Sequence, residues 1–192
     1  SIRRGKCLVL QVKPKTLDGR VAAVLWLTDY QRALLNDLAE ARVDYITIGG
    51  KAMQAHGIAR ESYDLDLWVS RLGDNPKRLF PLLVSRLPNA GPELTPSWLA
   101  LPMKRVALPN SPYLDDDVDL LTSVHDLDFA GAYARAIASE CEGTPLLVAS
   151  LEELVAVKRM SLVHNEQPSK QQREQQDIEL IAELVNRGPS SV

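Results

Sequence analysis

Residues 49–69 read GGKAMQAHGIARESYDLDLWV, and how that stretch is parsed decides the fold. Just upstream, residues 44–48 (DYITI) alternate in the manner of a strand and stop at Gly49 and Gly50. Residues 51–57 suit a short helix closed by Gly57, and residues 63–70 (YDLDLWVS) alternate again. The expected order is therefore strand, glycine turn, helix, strand. Because side chains on a strand repeat every two residues, Asp64 and Asp66 face the same way.

Two carboxylates on one face can share one cation. Magnesium takes hard oxygen ligands, commonly one or two carboxylates with waters and substrate phosphates completing its shell. The glycine pair adds a second feature: residues without side chains let a triphosphate approach backbone N–H groups at the start of a helix. Each feature is ambiguous alone. A D-x-D can be the solvated face of a one-sided strand, and Gly-Gly can be only a tight turn. Residues 115–123, DDDVDLLTS, supply a third acidic position, since Asp117 and Asp119 share a face and Leu120 and Leu121 anchor a strand. Asp119 sits within that strand and is the third carboxylate chosen here. Asp117 is the reserve, grouped with Asp115 and Asp116 in the loop that enters it.

Working outward, Thr28 and Gln31 have capping-box spacing ahead of a helix through residue 42 that carries Leu34, Leu35, Leu38 and Ala41. A helix is expected over 76–87, then a long irregular connection over 88–102 holding Pro88, Pro92, Pro96 and Pro102. Strands are expected at 103–108, 117–124 and 144–148, with an Ala-rich helix over 129–139. Ser150 and Glu153 cap a helix to about residue 164, and a final amphipathic helix over 171–187 turns Ile178, Ile181, Leu184 and Val185 inward. Residues 1–27 read as an N-terminal extension or loose hairpin of two apolar runs, 7–12 and 21–27, and 28–192 as a single domain.

The chain has 192 residues, 45% of them hydrophobic and 24% charged, which places it among ordinary globular proteins. With 3 Trp, 5 Tyr and 2 Phe it has little from which to build a stacking platform for single strands. A net charge of -3 argues against broad capture of nucleic acid. Cys7 and Cys141 lack CxxC spacing, so neither a disulfide framework nor a structural zinc site is expected. No apolar run approaches a membrane span of roughly 20 residues. Arg3, Arg4 and Lys6 precede a run too short for a secretory signal, so the expected location is the cytoplasm.

The glycine pair, His56-Gly57, Arg60, Ser62 and the D-x-D together resemble the polymerase-beta-like nucleotidyltransferases, in particular the small bacterial branch of AbiEii and type IV toxin-like proteins. Residues 118–136 (VDLLTSVHDLDFAGAYARA) resemble that family's third-carboxylate strand and following helix, and 150–160 (SLEELVAVKRM) the helix whose lysine, here Lys158, points toward the phosphates. The family's Lys-Asp pair before the last helix stands here as Arg173 and Glu174, with Asp177 in register. The resemblance runs from about residue 28 to 187. It implies an α+β nucleotidyltransferase fold: a short mixed sheet flanked by helices, with a C-terminal helical portion.

It also implies the reaction. A nucleoside monophosphate would pass from a nucleoside triphosphate, such as ATP, to a hydroxyl of RNA (tRNA among the candidates), protein or another acceptor, with pyrophosphate leaving. Asp64, Asp66 and Asp119 would hold Mg²⁺, as a two-metal site, with Mn²⁺ the substitute. Gly49, Gly50, Lys51, Arg60, Ser62 and Lys158 would bind the nucleotide. The branch further implies a toxin of a toxin-antitoxin pair, with a cognate antitoxin as partner and no membrane association. Against these stand plainer roles: Lys158 as a solvated helix lysine, Arg60 in a salt bridge to Glu61 or Asp44, His56 bonded to backbone, and Ser62 as a strand-entry hydroxyl supporting Asp64. The competing function is a catalytically silent nucleotide-binding or interaction module. Modification of an aminoglycoside is a third reading, for which no dedicated substrate domain is evident.

Overall fold

A computed structural model describes residues 16–17, 20–21, 25–108 and 117–186. The chain opens with two short paired strands, β1 (Thr16–Leu17) and β2 (Arg20–Val21), then runs α1 (Asp29–Glu40), β3 (Tyr45–Ile48), α2 (Gly49–Ala55) and β4 (Leu65–Val69). It continues through α3 (Asn75–Arg86), α4 (Pro96–Leu99), β5 (Arg105–Leu108), β6 (Val118–Leu121) and α5 (Phe129–Arg135). A hairpin of β7 (Ile137–Cys141) and β8 (Thr144–Val148) leads into α6 (Leu151–His164) and α7 (Pro168–Asn186). The class is α+β, as expected, and six strands form one mixed sheet in the order β5-β6-β4-β3-β8-β7. Two pairs in it are parallel, β4 with β6 and β3 with β8; β3 with β4, β5 with β6 and β7 with β8 are antiparallel.

Local chemistry accounts for the starts of α1 and α6. Thr28 and Gln31 form the reciprocal capping box the sequence announced, closing two of the amides that a helix N-terminus leaves without partners. The Ser150 side chain likewise accepts from the Glu153 N–H at the start of α6. The apolar stripe of α1 (Leu34, Leu35, Leu38) joins Ile46, Leu65, Leu67, Trp68, Val118 and Leu120 in one core. Burying such side chains contributes about 1.5–3 kcal/mol each. The α6 and α7 helices pack on each other at the C-terminal end.

Several boundaries depart from expectation. The helix after the glycine pair begins at Gly49 itself, so the glycines are its first residues and not a preceding turn. The Ala-rich helix stops at Arg135, and Ile137–Cys141 is a strand. Glu142 (φ 50) and Gly143 (φ 80) form a left-handed two-residue turn of the kind hairpins favour, which folds this strand onto β8 and overrides the helical propensity of the alanines. The connection over 88–102 contains the short helix α4, whose N-cap Thr95 accepts from Trp98 N–H. On α7, Val185 is 58% exposed rather than inward, while Ile178 and Leu184 are half-buried. Beside Ile181, the second fully buried residue of that helix is Asp177. The N-terminal pairing occupies 16–21, reaching only the first residue of the second apolar run; run 7–12 lies outside the described residues.

Candidate active site

The parallel pairing of β4 with β6 sets Asp66 directly beside Asp119, and β3 places Ile48 on the other side of Asp66. On β5, Ala107 pairs with Asp119, so Arg105, two residues earlier, is the diagonal neighbour of Asp119 on the same face. The opposite face of these strands carries Leu65, Leu67, Val118, Leu120, Val106 and Leu108, all buried. Hydrophobic alternation thus fixes which face the carboxylates occupy, since a slip of one residue would send them into the core.

Gly49 shapes the other wall. It has φ +68, and a Cβ there would lie 2.1 Å from Asp66 Oδ2. Only a residue without a side chain lets β3 turn into α2 against that carboxylate. The next glycine serves a similar end, because a Cβ on Gly50 would lie 2.4 Å from the Ser62 side chain. Ser62 Oγ is 3.4 Å from the Asp64 carbonyl, a weak contact that fits the strand-entry role.

Asp66 is half-buried with two other carboxylates in reach, and its pKa is pushed up to about 6. Burial is the largest cause, followed by the negative charge of Asp119; Asp64 adds to it, while Lys158 and Arg105 pull in the opposite direction. Asp119 is held by a bidentate fork, with Arg105 Nε donating at 2.8 Å to Oδ1 and Nη2 at 2.7 Å to Oδ2. Asp64, exposed, lies just ahead of β4. Among the described residues, no three His, Cys, Asp or Glu side chains already converge as a cage for an ion.

A polar cleft of about 460 Å³ opens beside this face, lined by Arg60, Glu61, Ser62, Tyr63, Asp64, Asp117 and Arg173. Asp64 and Asp117, each two residues ahead of Asp66 and Asp119, form part of its wall; Asp66 and Asp119 do not line it. Tyr63 stands edge-on to Trp26 at 5.6 Å between centroids, and both rings are substantially exposed. Lys51 does not line the cleft either. It is fully buried, donates to the Trp26 carbonyl at 2.8 Å and sets its ammonium 3.4 Å from the centroid of the Trp26 ring.

Behind the cleft lies a second charged cluster. Asp177, 1% exposed, accepts from Arg60 Nε at 2.7 Å and lies 2.7 Å from Lys158 Nζ, which also pairs with Glu174 at 2.9 Å. Lys158 is therefore a buried, paired lysine, which rules out the solvated reading. Arg60 is in a salt bridge, but to Asp177 on α7 and not to Asp44 or the Glu61 side chain; its Nη1 donates to the Glu61 carbonyl. His56 Nε2 is 2.8 Å from the Ala149 carbonyl, a backbone contact across to the end of β8. Cys141 is a buried free thiol whose pKa burial raises.

The sequence reading did not single out Arg105, and it noted Arg173 and Asp177 only as places in a charge pattern. Arg105 carries no local signal, since a basic residue at an outward strand position is ordinary. Its meaning appears only when β5 pairs with β6 in this register.

No family model and no curated protein sequence matches the chain. Among solved structures it is similar to an antigenic nucleotidyltransferase-like protein from Paracoccidioides brasiliensis, with 17% identity, a TM-score of 0.49, and coverage of 80% of this chain and 73% of that one. It is similar also to the antibiotic-resistance factor ANT(2'')-Ia in solution, with 14% identity, a TM-score of 0.43, and 82% and 88% of the two chains covered. The crystal structure of ANT(2'')-Ia in complex with adenylyl-2''-tobramycin gives 15% identity, a TM-score of 0.42, and 81% and 95% coverage. Likenesses this distant assign neither family nor substrate, so function has to be read from the side chains themselves.

Proposed function

We propose that this protein is a divalent-metal-dependent nucleotidyltransferase. The observation that supports it is the register pair Asp66–Asp119 at the edge of a polar cleft, with Asp64 in its electrostatic field and Gly49 leaving room for the Asp66 carboxylate. The donor set consists of hard oxygens, and the raised pKa of Asp66 marks a carboxylate removed from water first and set beside a second carboxylate next. These residues fit Mg²⁺ or Mn²⁺, held by Asp66 with Asp64 and Asp119. The bound ion would neutralise charge on the transferred phosphoryl group and make the acceptor hydroxyl easier to ionise.

The chain's own residues have separable roles in this reading. Arg60 and Arg173 line the cleft, where a triphosphate needs positive charge. Asp177 holds Arg60 in place from behind, so the cleft cation is pre-oriented. Lys158 sits between the two clusters, paired with Asp177 and Glu174 yet near enough to Asp66 to favour its ionised form. An ion would bind Asp66 only in its ionised form, and with the pKa pushed up to about 6 that form is lost as the pH falls through that value. The sequence resemblance, rather than the geometry, extends the reading to an RNA or protein hydroxyl as acceptor and to a toxin with a cognate antitoxin.

The test is release of pyrophosphate from each nucleoside triphosphate in the presence of Mg²⁺ and a cell extract as acceptor source. Asp66→Asn is expected to lower the rate about a thousandfold or more with the fold intact, a loss of the size seen when a key electrostatic group is removed. Undiminished release in that variant would sink the assignment.

One observation favours a second reading, a nucleotide-binding module without transfer. Arg105 already pairs with both oxygens of Asp119 and offsets its charge. Metal-dependent triphosphate binding seen by calorimetry, with no labelled acceptor across RNA and protein, would select it.

A further inference from the structure

The Arg105–Asp119 pair stands out because of where each partner sits. Arg105 is on β5, at the edge of the six-stranded sheet, and its side chain is 65% exposed; Asp119 is 18% exposed and points to the carboxylate face. Both donors of the fork, Nε and Nη2, meet separate oxygens of one carboxylate, the geometry that matches guanidinium to carboxylate most closely. Arg105 feels Asp66 and Asp117 as well as Asp119, so one exposed cation faces three acidic residues. Lys158, the other positive group near Asp66, is buried and tied to Glu174 and Asp177, and cannot swing away at comparable cost.

We propose that Arg105 is a placeholder cation: its fork holds the Asp119 carboxylate turned toward β5 while no metal is bound, and a divalent ion taken up by Asp66 and Asp119 displaces it. This rests on the metal-dependent reading of the site and adds a regulating contact to it. The guanidinium already engages both Asp119 oxygens and brings a positive charge beside them, so it competes with an ion for that carboxylate. The exchange is feasible because Arg105 is long, largely solvated and on an edge strand, where leaving the carboxylate exposes no buried charge of its own. Arg105 is thus a positioning residue for the ion, acting through Asp119.

Calorimetric titration of Mn²⁺ into the nucleotide-free full chain at about pH 7 reads this directly. Arg105→Gln should bind the ion about three- to tenfold tighter than the wild type, because the competing pair and its positive charge are gone. Its ion-free melting temperature should fall, and added Mn²⁺ should raise that temperature by more than it does in the wild type. Arg105→Lys keeps the charge without the fork and should fall between the two, which preserves the test if the glutamine variant folds poorly. Equal or weaker Mn²⁺ binding in these variants, with wild-type binding intact, overturns the placeholder and leaves the metal site standing. No binding in the wild type or either variant removes the metal-dependent reading and the placeholder with it. Binding that survives Asp66→Asn places the ion elsewhere and overturns both.

Discussion

Asp66 and Asp177 are two acidic residues in one small molecule with opposite electrostatic surroundings. Asp177, on α7, is 1% exposed and lies between two cations, Arg60 and Lys158. Asp66, on β4, is half-buried beside Asp119 with Asp64 in reach, and its pKa rises to about 6. Burial of an ionised carboxylate is costly unless it is paired, so the first arrangement is what a structural acid requires. The second leaves a carboxylate that burial and a neighbouring carboxylate both push toward its neutral form, a perturbation of the kind that clusters at functional sites. Lys158 belongs to both clusters, and its pairing with Asp177 limits how much it can offer Asp66.

The largest effect should come from breaking the paired acid. Asp177→Ala would leave Arg60 without its carboxylate and Lys158 with Glu174 alone, and should destabilise the fold by about 3–5 kcal/mol, the usual result of orphaning a buried charge. Denaturant titration measures it. A loss under about 1 kcal/mol would mean that the cluster is solvated in practice and that the contrast with Asp66 is false.

A smaller effect tests the wall against Asp66. Gly49→Ala places a Cβ within 2.1 Å of the Asp66 carboxylate and demands φ +68 of a residue with a side chain. The left-handed conformation alone costs about 1–2 kcal/mol, and moving the carboxylate adds to it. The predicted loss is roughly 2–3 kcal/mol in stability, together with weaker Mn²⁺ binding. The double variant Gly49→Ala/Asp66→Ala should recover much of the stability, because the clashing group is gone; failure to recover would place the strain in the backbone alone.

These two acids also show what could be read before the fold was seen. The D-x-D period of two and the glycine pair were legible because strand alternation and missing side chains are local properties. The α+β class and most helix starts were legible for the same reason, with Thr28 and Ser150 capping as their side chains require. Ion pairing was not. Asp177 lies 117 residues from Arg60, and Arg105 acquires meaning only through the register of β5 on β6. The strand Ile137–Cys141 was hidden by the Ala-rich helix that precedes it, a run that the Glu142–Gly143 turn and pairing with β8 cut short. Val185 was placed inward by periodicity, yet the buried positions on α7 are Asp177 and Ile181, since that face meets a charged cluster as well as the core.

The subtlest effect has the opposite sign. The carboxylate of Asp66 titrates near 6 in the folded, ion-free protein against 3.8 in a model peptide, so between about pH 4 and 6 the native state binds more protons than the unfolded one. This group's contribution to stability therefore falls as pH rises through that window, and the penalty is fully present above it. Asp66→Asn, which cannot ionise, should make the ion-free protein more stable at neutral pH, by on the order of 1–2 kcal/mol after allowing for partial solvent screening. At about pH 4, where wild-type Asp66 is protonated in the folded protein, the two should differ little. Melting temperatures across that range in the presence of a chelator measure the difference. A neutral-pH gain that vanishes in acid shows that ionised Asp66 is penalised in the ion-free protein; a variant less stable than wild type at neutral pH would show that Asp66, like Asp177, is a paired structural carboxylate.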